Sequence, residues 1–79
     1  MAAGVSCQRL TVGVNARLVK PVINGVNVES ALRLRPGHVV EIQTDVTEEA
    51  PIRRACVASW TVSRLGSDGP TFAGVCEWI

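Results

Sequence analysis

Apolar and polar residues trade places every second position along most of this chain. From Leu10 the even positions Leu10, Val12, Val14, Ala16 and Leu18 are apolar, with Arg9, Thr11, Asn15 and Arg17 between them. A period of two sends alternate side chains to opposite faces, so this run predicts a half-buried strand with one wet face. Lys20-Pro21 interrupts it, and Asn24-Gly25 predicts a turn. Val26 and Val28 alternate with Asn27 and Glu29 in a second short strand, which Leu32 and Leu34, alternating with Arg33 and Arg35, extend or follow. Arg35-Pro36-Gly37 predicts another turn, because proline presets φ and glycine accepts a positive one. A third strand is predicted over His38–Val46, with Val40 and Ile42 on one face and Glu41 and Gln43 on the other.

Thr47–Pro51 then reads as a polar, acidic loop. The longest run, Ile52–Leu65, places Cys56, Ala58, Trp60 and Val62 on one face and Arg53, Ser59, Thr61 and Ser63 mainly on the other. Gly66–Pro70 predicts a hairpin loop. Thr71–Ile79 puts Phe72, Cys76 and Trp78 on one side, with Gly74 between them. No helical period emerges, and 13 Val, 4 Ile and 5 Thr add β-branched weight to the strand reading. The expected fold is all-β, a small antiparallel β-barrel of five or six strands, since a meander of this kind must protect its edges by closing.

The chain has 79 residues and no repeat or linker, so it reads as a single domain, 1–79, with 1–7 a loose N-terminus. No apolar run reaches the ~18 residues a membrane helix needs, so no membrane association is expected. Residues 1–8 show no basic segment followed by an apolar core, so no secretory signal is expected. The net charge of +1 is far from the basic excess of a dedicated nucleic-acid binder, and nucleic acid is not an expected partner.

Candidate chemistry is sparse. Three cysteines, Cys7, Cys56 and Cys76, include no C-x-x-C pair. They are expected to be reduced, which points to a cytoplasmic location; a Cys56–Cys76 cross-strand bond is the alternative. The single histidine, His38, falls at a turn with no ligand partner at metal-binding spacing, so no metal and no cofactor are expected. Glu48 and Glu49 are adjacent and point apart in an extended loop, and no nucleophile elbow or triad can be assembled, so no enzymatic activity is expected. Trp60, Phe72 and Trp78 share the apolar parity of their strands and are expected as core anchors. Seven of the eight basic residues are arginine, whose planar forks suit phosphate and carboxylate.

Two segments resemble the PilZ domain, a bacterial six-stranded β-barrel family that includes receptors for cyclic di-GMP. Asn24-Gly25-Val26-Asn27-Val28-Glu29-Ser30 followed by Leu32-Arg33-Leu34-Arg35-Pro36-Gly37-His38-Val39-Val40-Glu41-Ile42 is similar to the family's glycine turn, strand and "l-x-pG-x-x-V-x-l" run. Arg54-Ala55-Cys56-Val57-Ala58-Ser59-Trp60, a Gly-rich hairpin and Ala73-Gly74-Val75-Cys76-Glu77-Trp78 resemble its "a-x-V-x-W … G-x-x-F" hairpin, with Trp78 in the Phe position. Either Gly74 is the family glycine with one extra residue after it, or Val75 replaces that glycine.

The ligand motifs depart from the family. Its R-x-x-x-R pair is missing, since four residues after Arg9 stands Gly13. In its D/N-x-S-x-x-G motif only Gly25 survives; Lys20 stands at the acidic position and Val22 at the serine. A lysine cannot accept the guanine hydrogen bonds that a carboxylate or amide oxygen takes. The resemblance therefore implies a degenerate PilZ-like domain acting as a protein-interaction or adaptor module that does not bind cyclic di-GMP tightly. It further implies an unidentified protein partner, for example in pilus or surface-motility machinery, with a homo-oligomer as another option. The alternatives are a cyclic di-GMP receptor with atypical contacts, through Arg9, Arg17, Lys20, Asn24 and Gly25, and a small nucleic-acid-binding barrel.

Overall fold

Gly13 breaks the first predicted run in two. In the computed structural model, which describes residues 8–47 and 49–79, Gly13 takes φ +92°, a conformation that side chains rarely adopt. The amides of Val14 and Asn15 both donate to the Thr11 carbonyl, at 3.0 and 3.1 Å, and close a tight turn. Strand β1 (Gln8–Thr11) precedes this turn and β2 (Ala16–Val22) follows it. The remaining strands are β3 (Gly25–Ser30), β4 (Val39–Gln43), β5 (Ile52–Val57), β6 (Thr61–Gly66) and β7 (Gly69–Trp78). The all-β expectation holds, with seven strands in place of five or six and no helix among the described residues. No helix is long and apolar enough to cross a membrane among them. The expectations for residues 1–7, including Cys7, and for Glu48 lie outside the described residues.

One sheet holds all seven strands, in the order β1-β4-β5-β7-β3-β2, with β6 added to β7. β7 is its hub. One edge of β7 pairs antiparallel with β3, from Gly25↔Glu77 to Ser30↔Phe72. Its other edge takes β5 near Cys76 and then β6 from Thr61↔Ala73 to Gly66↔Gly69. β1 runs parallel to β4, against the all-antiparallel expectation. The long connection that a parallel pair requires is here the β2–β3 hairpin and the Leu32–His38 segment. The sheet curls into a half-barrel, and its first and last strands in the order are joined by the Gly13 turn and a Val12–Ala16 bridge.

The concave face holds the core: Leu10, Val26, Val28, Val40, Ile42, Ala55, Val57 and Cys76, with Leu34 closing it from the segment after β3. Parity along β3, β4 and β7 follows the predicted alternation. In β5 it is reversed. Ala55 and Val57 point inward, registered with Trp78 and Cys76, while Cys56 stands opposite Glu77 on the outer face. The cause is a bulge: Ala58 and Ser59 both donate to the Val75 carbonyl, at 2.8 and 3.3 Å, so two residues face one. The extra residue flips the parity, and Val62 of β6 again shares a face with Phe72.

The free edge of β1 is covered by a side chain. Asn15 Oδ1 accepts from the Thr11 amide at 2.7 Å, and Asn15 Nδ2 donates to the Arg9 carbonyl at 2.9 Å. One carboxamide thus serves as the neighbouring strand for two backbone groups. The buried Ser30 hydroxyl donates to the Asn15 carbonyl at 2.6 Å and ties this turn to the end of β3. Asn15→Ala is expected to cost about 1–2 kcal/mol, one or two net hydrogen bonds, as a lowered urea midpoint; an unchanged midpoint would mean that water replaces the amide without loss.

Candidate functional site

The Leu32–Arg35 segment has the alternation of a strand but none of the pairing. Leu34 packs into the core and Leu32 lies half-buried, which sends Arg33 and Arg35 outward. The segment ends in the expected turn, where the His38 amide donates to the Arg35 carbonyl at 3.0 Å and Gly37 takes φ +94°. The Gly37 amide donates to the Val57 carbonyl at 2.7 Å, anchoring the turn on β5. At its start, the Leu32 carbonyl accepts from Trp60 Nε1 at 3.0 Å.

Between this segment and the start of β6 lies a cleft of about 460 Å³. Arg33, Leu34 and Arg35 form one wall, Trp60, Thr61 and Val62 the other, and Phe72 lies between them. The Arg33 guanidinium carbon stands 5.5 Å from the Phe72 ring centre, within cation–π range. Among the described residues neither Arg33 nor Arg35 has a carboxylate partner. Both forks are free for an acceptor brought from outside. Gly74 makes the cleft possible, since a Cβ there would overlap the Ser59 carbonyl and crowd the Trp60 ring.

The five residues singled out for nucleotide contact lie elsewhere. Arg9, on β1, pairs with Glu41 of β4 at 3.2 Å. Arg17, on β2, gives two hydrogen bonds to Glu29 Oε1, from Nε at 3.1 Å and Nη2 at 3.0 Å. Ser63 Oγ donates to the other Glu29 oxygen at 3.2 Å, and Arg64 stands 3.7 Å away. The Arg17 hydrogen bonds hold the Glu29 carboxyl below its usual range; partial burial opposes them, and the charge of Arg17, the Ser63 hydroxyl and Arg64 add to them. Lys20 is exposed on β2 opposite Asn27, whose buried Oδ1 has no hydrogen-bond partner among the described residues. Asn24 takes the left-handed conformation of the β2–β3 turn, φ +59°, and its carbonyl accepts from the Trp78 amide at 2.9 Å. Gly25 is buried against β7, where a Cβ would overlap the Cys76 carbonyl. The hairpin thus groups Lys20, Asn24 and Gly25 at one end and Arg17 at the other, with Arg9 on a separate strand.

The aromatic residues are less deeply placed than core anchors. Phe72 is buried, but Trp60 and Trp78 pack half-buried against the core, and Arg53 covers the Trp78 ring at 4.0 Å. Among the described residues no three His, Cys, Asp or Glu side chains gather as metal ligands. Cys56 and Cys76 occupy opposite faces and are free thiols, so the alternative of a bond between them is set aside.

The Cys76 thiol is pushed up to about 11, chiefly by burial and secondarily by the nearby Cys56 charge. The ordinary thiol value is 9.0, so between there and about 11 the unfolded chain holds fewer protons than the folded one. Stability from this group is complete below that window and is lost as pH rises through it. Urea midpoints should fall across this range more steeply in the native chain than in Cys76→Ala. Equal slopes would contradict the burial of the thiol.

The geometry defines a small all-β half-barrel carrying an arginine-walled aromatic cleft beside a strand edge. No protein-family model, no curated protein and no solved structure matches the chain.

Proposed function

We propose that this chain is a divergent, minimal PilZ-like domain that works as a protein-interaction or adaptor module in a bacterial cytoplasm. The observation that carries the reading is the outer edge of β6. That strand pairs only with β7 among the described strands, and it exposes Val62 and Leu65. An unpaired strand with exposed apolar side chains favours pairing with another chain. Against a tight cyclic di-GMP site, Arg9 and Arg17 are already held by Glu41 and Glu29, and the motif positions 20 and 22 carry Lys and Val. The free thiols fit a reducing compartment. The reading gives the chain a binding role and no reaction; its partner, in pilus or motility machinery for example, is a protein.

Isothermal titration with cyclic di-GMP is expected to give no heat at micromolar concentrations. Saturable binding in that range, with amide shifts around Gly25, would overturn the reading in favour of a receptor using Lys20, Asn24 and Gly25. Oligonucleotide binding with a steep salt dependence would overturn it in favour of a nucleic-acid barrel.

A further inference from the structure

Three strands of the sheet have one edge without a strand partner among the described residues, and they differ in how that edge is protected. β1 is covered by the Asn15 carboxamide. β2 carries Lys20 and Pro21 and is bulged between Leu18 and Lys20, the charge, proline and irregularity that discourage strand addition. β6, Thr-Val-Ser-Arg-Leu-Gly, has neither lysine nor proline. Its one charge, Arg64, lies near Glu29, and the hydroxyl of its extra residue, Ser63, shares its single proton between Glu29 and the Thr71 carbonyl, 3.2 Å from each. β6 is bulged as β2 is, but with no proline, no lysine and no covering side chain among the described residues its edge is the least protected of the three.

The first residues of this strand, Thr61 and Val62, also wall the cleft. Val62 registers with Phe72 and Leu65 with Pro70, so an apolar stripe continues the concave face along the β6–β7 hairpin beyond the core. It is open to solvent, with Val62 53% and Leu65 80% exposed. Across the cleft stand Arg33 and Arg35, neither with a carboxylate partner among the described residues. Backbone pairing sites, an apolar floor and two free guanidinium forks therefore lie side by side.

We propose that this groove takes an extended acidic segment of a partner protein, added to β6 as a further strand. Its backbone pairs with β6, an apolar side chain enters over Phe72 and Val62, and carboxylates meet Arg33 and Arg35. Charge selects this occupant over a second copy of the chain, because self-pairing would bring like arginine clusters together, whereas arginine forks bind carboxylates with two parallel hydrogen bonds. The inference rests on the interaction-module reading and names the chemistry of its partner.

The test is selection of displayed random twelve-residue peptides on the intact chain, with counter-selection on the Arg33→Glu/Arg35→Glu double variant. Both substitutions are at exposed positions, and circular dichroism checks that the variant keeps its fold. The expected peptides alternate Asp or Glu with apolar residues and shift the amides of 33–35 and 61–65. They should bind the double variant on the order of tenfold or more weakly, the effect of two lost charge-assisted contacts. Enriched peptides without acidic residues, shifts elsewhere, or no enrichment would each overturn the proposal. Concentration-dependent broadening of β6 amides without peptide would overturn it in favour of a second copy, while keeping the interaction-module reading. Failure of that reading has a separate signature, nucleotide-induced shifts at Gly25.

Discussion

Gly74→Ala is expected to destabilise the chain by about 3 kcal/mol or more, at or beyond the top of the usual range for overpacking. Gly74 is buried and its φ is not positive, so backbone conformation imposes no penalty on alanine. The cost is steric. A methyl group at this position would occupy the space of the Ser59 carbonyl and press on the Trp60 ring. A flexible side chain would move aside, but this obstacle is backbone, pinned where Ala58 and Ser59 both donate to the Val75 carbonyl. Relief requires the β5–β6 bulge to lift from β7, which also pulls Trp60 Nε1 from the Leu32 carbonyl and spreads the cleft. A domain this small holds ~5 kcal/mol in total, so the variant should lose most of its urea midpoint and show altered tryptophan fluorescence. Gly66→Ala is the control. Its new methyl would meet only the Gly69 carbonyl at 3.7 Å, and its effect should stay within about 0.5 kcal/mol. Equal midpoints for the two variants would mean that Ser59 and Trp60 do not cross over Gly74.

Leu10→Ala is expected to cost about 2–5 kcal/mol, and Val14→Ala less than about 0.5 kcal/mol. The sequence pattern makes no distinction between these positions, which share one parity of one apolar run. In the fold, Leu10 is fully buried on β1 among the core side chains, and Val14 is 71% exposed in the turn that follows. Removing the leucine leaves a cavity that the curled sheet cannot collapse, because β1 is held to β4 on one side and by Asn15 on the other. Chemical denaturation of both variants separates the two accounts. Comparable losses would restore an unbroken strand through Gly13.

This pair shows where alternation stops being legible. A period of two reports which residues share a face only while the strand continues, and the turn after Thr11 depends on Asn15 and Ser30 making bonds that no periodicity contains. The reversal in β5 has a similar cause. The bulge at Ala58–Ser59 exists because Val75 accepts two amides across the sheet, so it is written in the pairing and not in the run Ile52–Leu65. Where strands pair without interruption, as along β3, β4 and the inward side of β7, burial follows the sequence. Turns with local chemistry were equally readable: Asn24 in its left-handed conformation, Pro36-Gly37 closing on Arg35, and the Gly66–Gly69 hairpin.

Half of the cleft is legible in the sequence. Alternation placed Arg33 and Arg35 outward and Leu34 inward, which is how they stand. Their aromatic neighbours come from segments roughly 25–40 residues away, brought over by the missing side chain of Gly74 and the Trp60–Leu32 hydrogen bond. No local pattern announces such an approach. Arg9 and Arg17, candidate nucleotide contacts by sequence, have exposed side chains but are paired with carboxylates across neighbouring strands. A charge in a one-letter sequence does not reveal whether it is already neutralised.

Amide hydrogen exchange of the intact chain, read residue by residue, tests most directly whether β7 is the hub and β6 the open edge. β7 lies between β3 on one edge and β5 and β6 in turn on the other, so its amides should exchange only with global unfolding across Thr71–Trp78. In Thr61–Gly66 protected and fast-exchanging amides should both occur, because only one side of the strand is paired. Uniform protection along β6, or exchange from β7 as fast as from β6, would contradict that arrangement and the binding role built on it.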